Sequence, residues 1–148
     1  MVYNIRYVLI ILLFLVNGND LNGQINLFDF PIEVIGNNTG ANKMNEQTLK
    51  EYVKGKYNKW PNNKTVIVAL ASSKHPKVEL YSDLLYNKSF FAVKKYWYSL
   101  VFQGRNDPPY FFSTDEEIIE FVRLNPGAIA IVEKSSAVPE NLKIQLNE

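Results

Sequence analysis

The sequence predicts an α/β fold in which a mixed, mostly parallel sheet is covered by helices. Two continuous apolar runs, residues 65–70 (TVIVAL) and 128–132 (AIAIV), indicate buried strands, because such β-branched runs occur where helices cover both faces of a sheet. Stretches with apolar residues at helical spacing lie between these two runs, so strands and helices alternate along the chain. The sequence contains no internal repeat, and we expect one α/β domain.

The first strand and the first helix are predicted before residue 60. Residues 30–36 (FPIEVIG) have the composition of a strand, and a polar turn follows them. Asn45 is a suitable N-cap, and Gly55 lies where helices commonly end in a left-handed residue. The predicted apolar face of this helix consists of Leu49, Tyr52 and Val53. Residues 60–63 (WPNN) favour a turn that leads into the strand at residues 65–70.

Two further helices are predicted between residues 76 and 104. The first begins at Pro76, where the missing N–H costs nothing. Its apolar stripe consists of Val78, Tyr81, Leu84 and Leu85. The second begins after Ser89, a predicted N-cap, and ends near Gly104. The loop that follows, residues 105–110 (RNDPPY), is too rich in proline to be helical.

The last predicted helix has the spacing of a capping box at its start. Thr114 and Glu117 are three residues apart, and residues 125–127 (NPG) end the helix. The acidic residues 115–117 lie in its first turn, where carboxylates interact favourably with the helix dipole. Residues 142–146 (LKIQL) alternate in polarity, which predicts an edge strand with one face in water.

The N-terminus has the pattern of a cleavable signal peptide. Arg6 precedes the apolar run of residues 7–16 (YVLIILLFLV), and a polar stretch follows it. This run is about half as long as a membrane-spanning helix, which needs roughly 20 residues. We expect residues 1–23 to be removed and residues 24–148 to form a single periplasmic or secreted domain. The chain has no cysteine, so a lipid anchor on an N-terminal cysteine and a disulfide framework are both excluded.

Composition argues against several functional classes. The formal net charge is +1, and no long basic block supplies the electrostatic footprint of a nucleic-acid binder, so we expect no nucleic-acid partner. The single histidine, His75, leaves no multi-histidine metal site, and thiol chemistry requires a cysteine. We therefore expect a protein that is not an enzyme and carries no cofactor.

Several motifs, in the same order along the chain, carry a resemblance to a known family. They are LKEYVKGKYNKWPNNKTVIVAL, then KKYWYSLVFQGRNDPP, then TDEEIIEFVRLNPGAIAIV. In these motifs the chain resembles the type 2 periplasmic binding-protein domain, and specifically the short relatives of phosphate ABC-transporter substrate-binding proteins. The resemblance covers residues 32–132. It implies one lobe of a fold whose full-length members have two α/β lobes that close on phosphate.

The resemblance also implies a binding loop. In that family a Ser/Gly/Thr-rich loop between a strand and a helix holds the oxyanion at the helix N-terminus. The matching loop is residues 71–76 (ASSKHP), in which Ser72, Ser73, Lys74 and His75 would bind a small oxyanion. This loop departs from the family by lacking glycine, which makes close backbone approach to an anion harder. The alternative is that Ser73 or His75 only caps the helix and Lys74 is solvated.

Three more residues are candidates for the same ligand. Asn38 and Thr39 follow the first predicted strand, the side of an α/β sheet where ligands collect. Arg105 has the planar donor arrangement that grips a carboxylate or phosphate. The alternative for Arg105 is a pair with Asp107 or exposure to water.

Two functions of different classes follow from these observations. The first is a solute-binding lobe that binds phosphate or a similar oxyanion, presents it to a membrane transporter, and dimerises across the loop at residues 72–75 to enclose the ion. The second is a ligand-free interaction module that retains the fold and docks on a protein of the cell envelope.

Overall fold

Six strands and four helices are formed by residues 26–147, the part of the chain that this computed structural model describes. In chain order the strands are β1 (Ile32–Gly36), β2 (Lys43–Asn45), β3 (Ile67–Ala71), β4 (Tyr110–Phe112), β5 (Ala128–Glu133) and β6 (Lys143–Asn147). The helices are α1 (Glu46–Val53), α2 (Val78–Tyr86), α3 (Phe90–Phe102) and α4 (Asp115–Leu124). Two single 3₁₀ turns are formed by Leu27–Asp29 and Glu140–Leu142. The predicted signal peptide, residues 1–23, lies outside the described residues.

The strands form one mixed sheet in the order β2-β6-β1-β5-β3-β4. β1 runs antiparallel to both of its neighbours, β5 and β6. The pairs β2 with β6, β3 with β5, and β3 with β4 are parallel. β1 therefore points opposite to the other strands, and the predicted α/β class with a mixed sheet is confirmed.

Helices cover both faces of this sheet, and β5 shows how one strand serves two cores. Ile129 and Ile131 pack on the face covered by α1, α2 and α3. Ala128, Ala130 and Val132 pack on the opposite face against α4. Because alternate side chains of a strand point to opposite faces, a continuous apolar run is needed to fill both cores. This is why the run at residues 128–132 was recognisable as a buried strand.

Three predicted N-caps are confirmed. The side-chain oxygen of Asn45 accepts a hydrogen bond from the N–H three residues later at 2.8 Å. Ser89 does the same at 3.4 Å and Thr114 at 3.2 Å. Each cap satisfies a backbone donor that the first helical turn leaves without a partner. The predicted left-handed residue Gly55 is also confirmed, with φ of +68°.

The predicted turn at residues 60–63 is confirmed, and it closes one end of the core. The Asn63 N–H donates to the Trp60 carbonyl at 2.8 Å. Trp60 is buried, its indole N–H donates to the Gly127 carbonyl at 2.8 Å, and its ring stacks on Tyr52 at 4.0 Å between centroids. A Cβ on Gly127 would lie 2.2 Å from the Thr65 carbonyl oxygen, so only glycine allows the turn to approach β5 this closely.

Three details of the prediction are wrong. The strand predicted at residues 142–146 is not at the edge, because the three-residue β2 pairs beyond it. β4, the actual edge strand beside β3, begins within the stretch predicted as loop, at Tyr110. α2 begins at Val78 rather than at Pro76, since residues 73–77 form turns.

No helix within residues 26–147 is both long and apolar enough to cross a lipid bilayer.

Candidate functional site at the carboxyl edge of the sheet

The loops that leave β3, β4 and β5 meet at one edge of the sheet. These three neighbouring strands are parallel, so their carboxyl ends lie side by side. Each strand is followed by hydroxyl-bearing residues, namely 72–73 after β3, 113–114 after β4 and 135–136 after β5. Ligands of open α/β sheets collect at such an edge. The predicted loop at residues 72–75 therefore lies where a ligand site is expected.

The inner part of this edge is a buried hydrogen-bond cluster around one carboxylate. Asp115 Oδ1 accepts from His75 Nε2 at 3.1 Å, and Oδ2 accepts from the Glu133 N–H at 2.9 Å and the Ser136 hydroxyl at 3.1 Å. The Tyr81 hydroxyl lies 3.2 Å and 3.1 Å from the two carboxylate oxygens. A carboxylate offers about four acceptor positions, and four groups fill them. We call Asp115, His75, Tyr81 and Ser136 the inner cluster.

His75 is held by bonds at both ring nitrogens. Nε2 donates to Asp115, while Nδ1 accepts from the Lys77 N–H at 3.1 Å. These two bonds assign the proton to Nε2 and leave the ring without a charge. Only 4% of the residue is exposed. In this arrangement His75 positions the start of α2 and offers neither a charge nor a free donor to a ligand.

Burial within the inner cluster also affects Tyr81. Burial first, and then the nearby Asp115 carboxylate, raise the pKa of the Tyr81 hydroxyl far above its ordinary value. Both causes disfavour a negative charge on the phenol. The hydroxyl is therefore a permanent donor at neutral pH.

Beside the cluster, Lys77 and Glu133 form an ion pair that borders an open pocket of about 280 Å³.

The outer part of the edge, between β3 and β4, is open. Ser72 Oγ lies 3.3 Å from Ser113 Oγ and also accepts from the Lys74 N–H at 3.3 Å. Ser73 and Lys74 are exposed, and within residues 26–147 no carboxylate pairs with the Lys74 ammonium. We call Ser72, Ser73, Lys74 and Ser113 the outer cluster. It holds hydroxyls and one cation that are accessible to solvent.

The other predicted candidates lie at the opposite edge of the sheet. Because β1 runs antiparallel to β5, its carboxyl end lies where β3 and β5 begin. Asn38 accepts from the Asn62 side chain at 2.8 Å through its carbonyl, and buried Thr39 donates to the Ala41 carbonyl at 2.9 Å. Arg105 borders a separate cleft of about 760 Å³ at the amino ends of β3 and β4. The candidates predicted as one site thus lie at opposite ends of the strands, and Arg105 is also apart from Asn38 and Thr39.

The central residue of the inner cluster, Asp115, was assigned only a helix-dipole role from the sequence. It does lie in the first turn of α4, but its side chain turns inward to meet His75 from a loop 40 positions earlier. No local sequence pattern predicts a pair of residues this far apart in the chain. The sequence signal that was available is the lone histidine, since a buried imidazole needs partners for both nitrogens.

The chemistry of the edge is that of hydrogen bonding and charge. Among the described residues, no group of three or more His, Asp or Glu side chains is placed to hold a metal ion. In the same part of the chain, no serine or threonine hydroxyl is bonded to the His75 ring, whose Nε2 is taken by Asp115. The exposed hydroxyls and the Lys74 ammonium suit recognition of a polar anion.

Comparison with known proteins assigns no family to the chain. No family model matches it, and no curated protein is significantly similar to it. Its function is therefore inferred from its own residues and their arrangement.

Proposed function

We propose that this chain is an exported, single-lobe relative of type 2 periplasmic binding proteins that binds a small oxyanion such as phosphate. The observation that supports this proposal is the outer cluster, in which two strand ends bring together Ser72, Ser73, Lys74 and Ser113 at the carboxyl edge. Hydroxyl donors and an ammonium group are the side chains that hold an oxyanion, and the exposed Ser73 and Lys74 supply one of each.

The electrostatics of the edge favour weak binding. Asp115 is saturated by its own donors, and the Glu117 carboxylate accepts from the Ser113 N–H at 2.8 Å. Because the Ser113 N–H is taken, an anion would contact Ser113 through its hydroxyl alone, together with Ser72, Ser73 and Lys74. For an exposed site of this kind we expect a Kd on the order of 1 mM. A second protein surface that covers the loop would exclude water and strengthen the binding.

A titration tests this proposal. The exported chain is titrated with phosphate, sulfate and chloride at matched ionic strength, by calorimetry and by thermal unfolding. Phosphate at ten times Kd should stabilise the fold by about 1.4 kcal/mol, or roughly 5 °C in Tm. Ser73→Ala/Lys74→Ala should abolish this shift, whereas Lys43→Gln, which removes an exposed lysine of β2, should retain it. Equal shifts with all three anions, or a shift that survives Ser73→Ala/Lys74→Ala, would refute the assignment.

The second candidate function is a ligand-free interaction module of the cell envelope. It is favoured by the inner cluster, because the Asp115 carboxylate accepts the hydrogen bonds that the buried donors at this edge would otherwise offer to an anion. Such a module would be insensitive to anions and would bind through another surface. An absent phosphate response, together with retention of the chain on envelope material, would favour this function over the first.

A further inference from the structure

The outer face of α3 carries an aromatic stripe that no other part of the described chain covers. Phe91, Tyr98 and Phe102 are 70%, 61% and 96% exposed, respectively. Successive helical residues are about 100° apart, so these three side chains fall within about 40° of one another. They span about 16 Å along the helix axis. We call Phe91, Tyr98 and Phe102 the aromatic stripe.

The opposite face of the same helix explains why the stripe is not part of the core. Val93, Trp97 and Leu100 of α3 are buried against the sheet and the neighbouring helices. That face satisfies the packing needs of the helix. Monomeric proteins rarely expose several large aromatic side chains side by side, and such patches mark interaction surfaces.

Positive charge accompanies the stripe. Lys94 Nζ lies 5.8 Å from the ring centroids of both Phe90 and Tyr98, and Lys95 Nζ lies 5.7 Å from that of Phe91. On the helical wheel the two lysines flank the stripe, one on each side. The helix sequence, FFAVKKYWYSLVF, contains no acidic residue. The exposed face of α3 is therefore both aromatic and basic.

We infer that the aromatic stripe of α3, with Lys94 and Lys95, docks on an anionic lipid bilayer surface. Aromatic rings favour the interfacial layer of a bilayer, and lysines beside them reach the lipid phosphates. The charge complementarity selects this occupant, since a juxtamembrane lysine is attracted to anionic lipid but not to neutral lipid. A two-fold dimer through this face would bring lysines close to their own copies, and the like charges would repel.

This inference is independent of oxyanion binding and of docking on an envelope protein. The stripe is on α3, whereas the outer cluster lies at the carboxyl edge of β3 and β4. Phosphate binding and bilayer binding can therefore each fail without the other.

Flotation with lipid vesicles tests the inference. The chain is recovered from cells after export, its N-terminus is established by mass spectrometry, and it is mixed with vesicles of phosphatidylcholine alone or with one third phosphatidylglycerol. We expect binding to the anionic vesicles only, weakening as salt is added. Phe91→Ser/Tyr98→Ser/Phe102→Ser should reduce the partition coefficient by more than about tenfold per ring. Lys94→Gln/Lys95→Gln should reduce it by about fivefold per lysine.

Matched controls distinguish docking through the aromatic stripe from non-specific hydrophobic or electrostatic binding to vesicles. Leu124→Ser and Phe28→Ser remove other exposed apolar side chains, and Lys43→Gln/Lys59→Gln removes two other exposed lysines. These variants should bind vesicles like the unchanged chain. All variants share the same N-terminus, so any lipid binding by residues before 26 is common to them, and circular dichroism establishes that each is folded.

Four results would overturn the inference. The first is the absence of binding by the unchanged chain, and the second is equal binding to neutral and anionic vesicles. The third is undiminished binding by the triple aromatic variant. If sedimentation shows a dimer that this variant dissociates, the stripe belongs to a second copy of the chain and the bilayer assignment is wrong.

Discussion

The inner and outer clusters share the segments that follow β3 and β4 at the same edge of the sheet, yet only the inner cluster has all of its donors paired within the chain. The inner cluster surrounds Asp115, which is 9% exposed and accepts from four groups. The outer cluster contains the exposed Ser73 and Lys74, for which the described chain supplies no carboxylate partner. Both are rich in polar groups, so polarity alone does not distinguish a structural cluster from a binding site. The distinction lies in whether each donor already has an acceptor.

This difference has an energetic basis. Burying a carboxylate is costly unless several donors compensate for the lost water, and a donor left unsatisfied in the interior costs about 1–3 kcal/mol. The inner cluster meets this condition within the chain. In the outer cluster, the exposed Ser73 hydroxyl and Lys74 ammonium are bonded to water until a ligand arrives, so they contribute little to stability and can exchange water for an anion.

Removal of the central carboxylate should have the largest effect. Asp115→Ala leaves the buried donors of His75 and Tyr81 without an acceptor, and we expect a loss of about 3–5 kcal/mol in the free energy of unfolding. Urea denaturation measures the loss. Asp115→Asn keeps one acceptor oxygen and should lose less, which provides a folded variant if the alanine change prevents folding.

The matched control for this change is Glu116→Ala, in the same helical turn but exposed. If Asp115 acted only on the helix dipole, both alanine variants would lose similar amounts, up to about 1 kcal/mol. A loss near that value for Asp115→Ala would therefore contradict the structural role of the inner cluster.

Alkaline pH should weaken the fold through its buried tyrosines. Burial raises the pKa of Tyr81 and of Tyr86, whose hydroxyl donates to the Val53 carbonyl at 2.6 Å. The unfolded chain therefore loses these protons first, so their stabilising contribution is complete below pH of about 10 and is lost above it. Above that pH, each tyrosine that retains its proton in the fold lowers the free energy of unfolding by about 1.4 kcal/mol per pH unit.

Urea denaturation between neutral pH and pH of about 11 measures this slope. Tyr81→Phe should lower stability at neutral pH by roughly 1 kcal/mol, because it removes one donor to Asp115. It should also reduce the alkaline slope, since one of the titrating phenols is gone. An unchanged slope in this variant would mean that the Tyr81 hydroxyl ionises equally easily in the folded and unfolded chains.

Much of the fold was predictable because its signals are local. The N-caps Asn45, Ser89 and Thr114 each act within one helical turn, and the apolar runs reflect helices on both faces of the sheet. The three-residue strands β2 and β4 are too short to show a period, so their pairing is decided by tertiary contacts. The prediction that β6 is an edge strand was wrong for this reason, because β2 pairs beyond it.

The site was predictable only in part, because the direction of a strand is not a local property. Residues 72–75 follow β3 and lie at the carboxyl edge of the parallel strands, as their place after a predicted strand indicates. Asn38 and Thr39 were predicted as ligand candidates because they follow the first strand of a mostly parallel sheet. The antiparallel pairing of β1 with β5 moves them to the other end of the sheet. Strand order and direction depend on how distant segments pack, which residue patterns along one strand do not specify.

A pair of serines provides the smallest but most direct comparison of the two clusters. Ser136 donates to the buried Asp115 carboxylate at 3.1 Å, whereas Ser73 is exposed at the outer cluster. Ser136→Ala removes one charge-assisted bond and should cost roughly 1–2 kcal/mol, while Ser73→Ala should change stability by less than about 0.5 kcal/mol. Parallel urea denaturation without phosphate measures both. Comparable losses would show that the two hydroxyls are held equally tightly, and Ser73 would then be unavailable to a ligand.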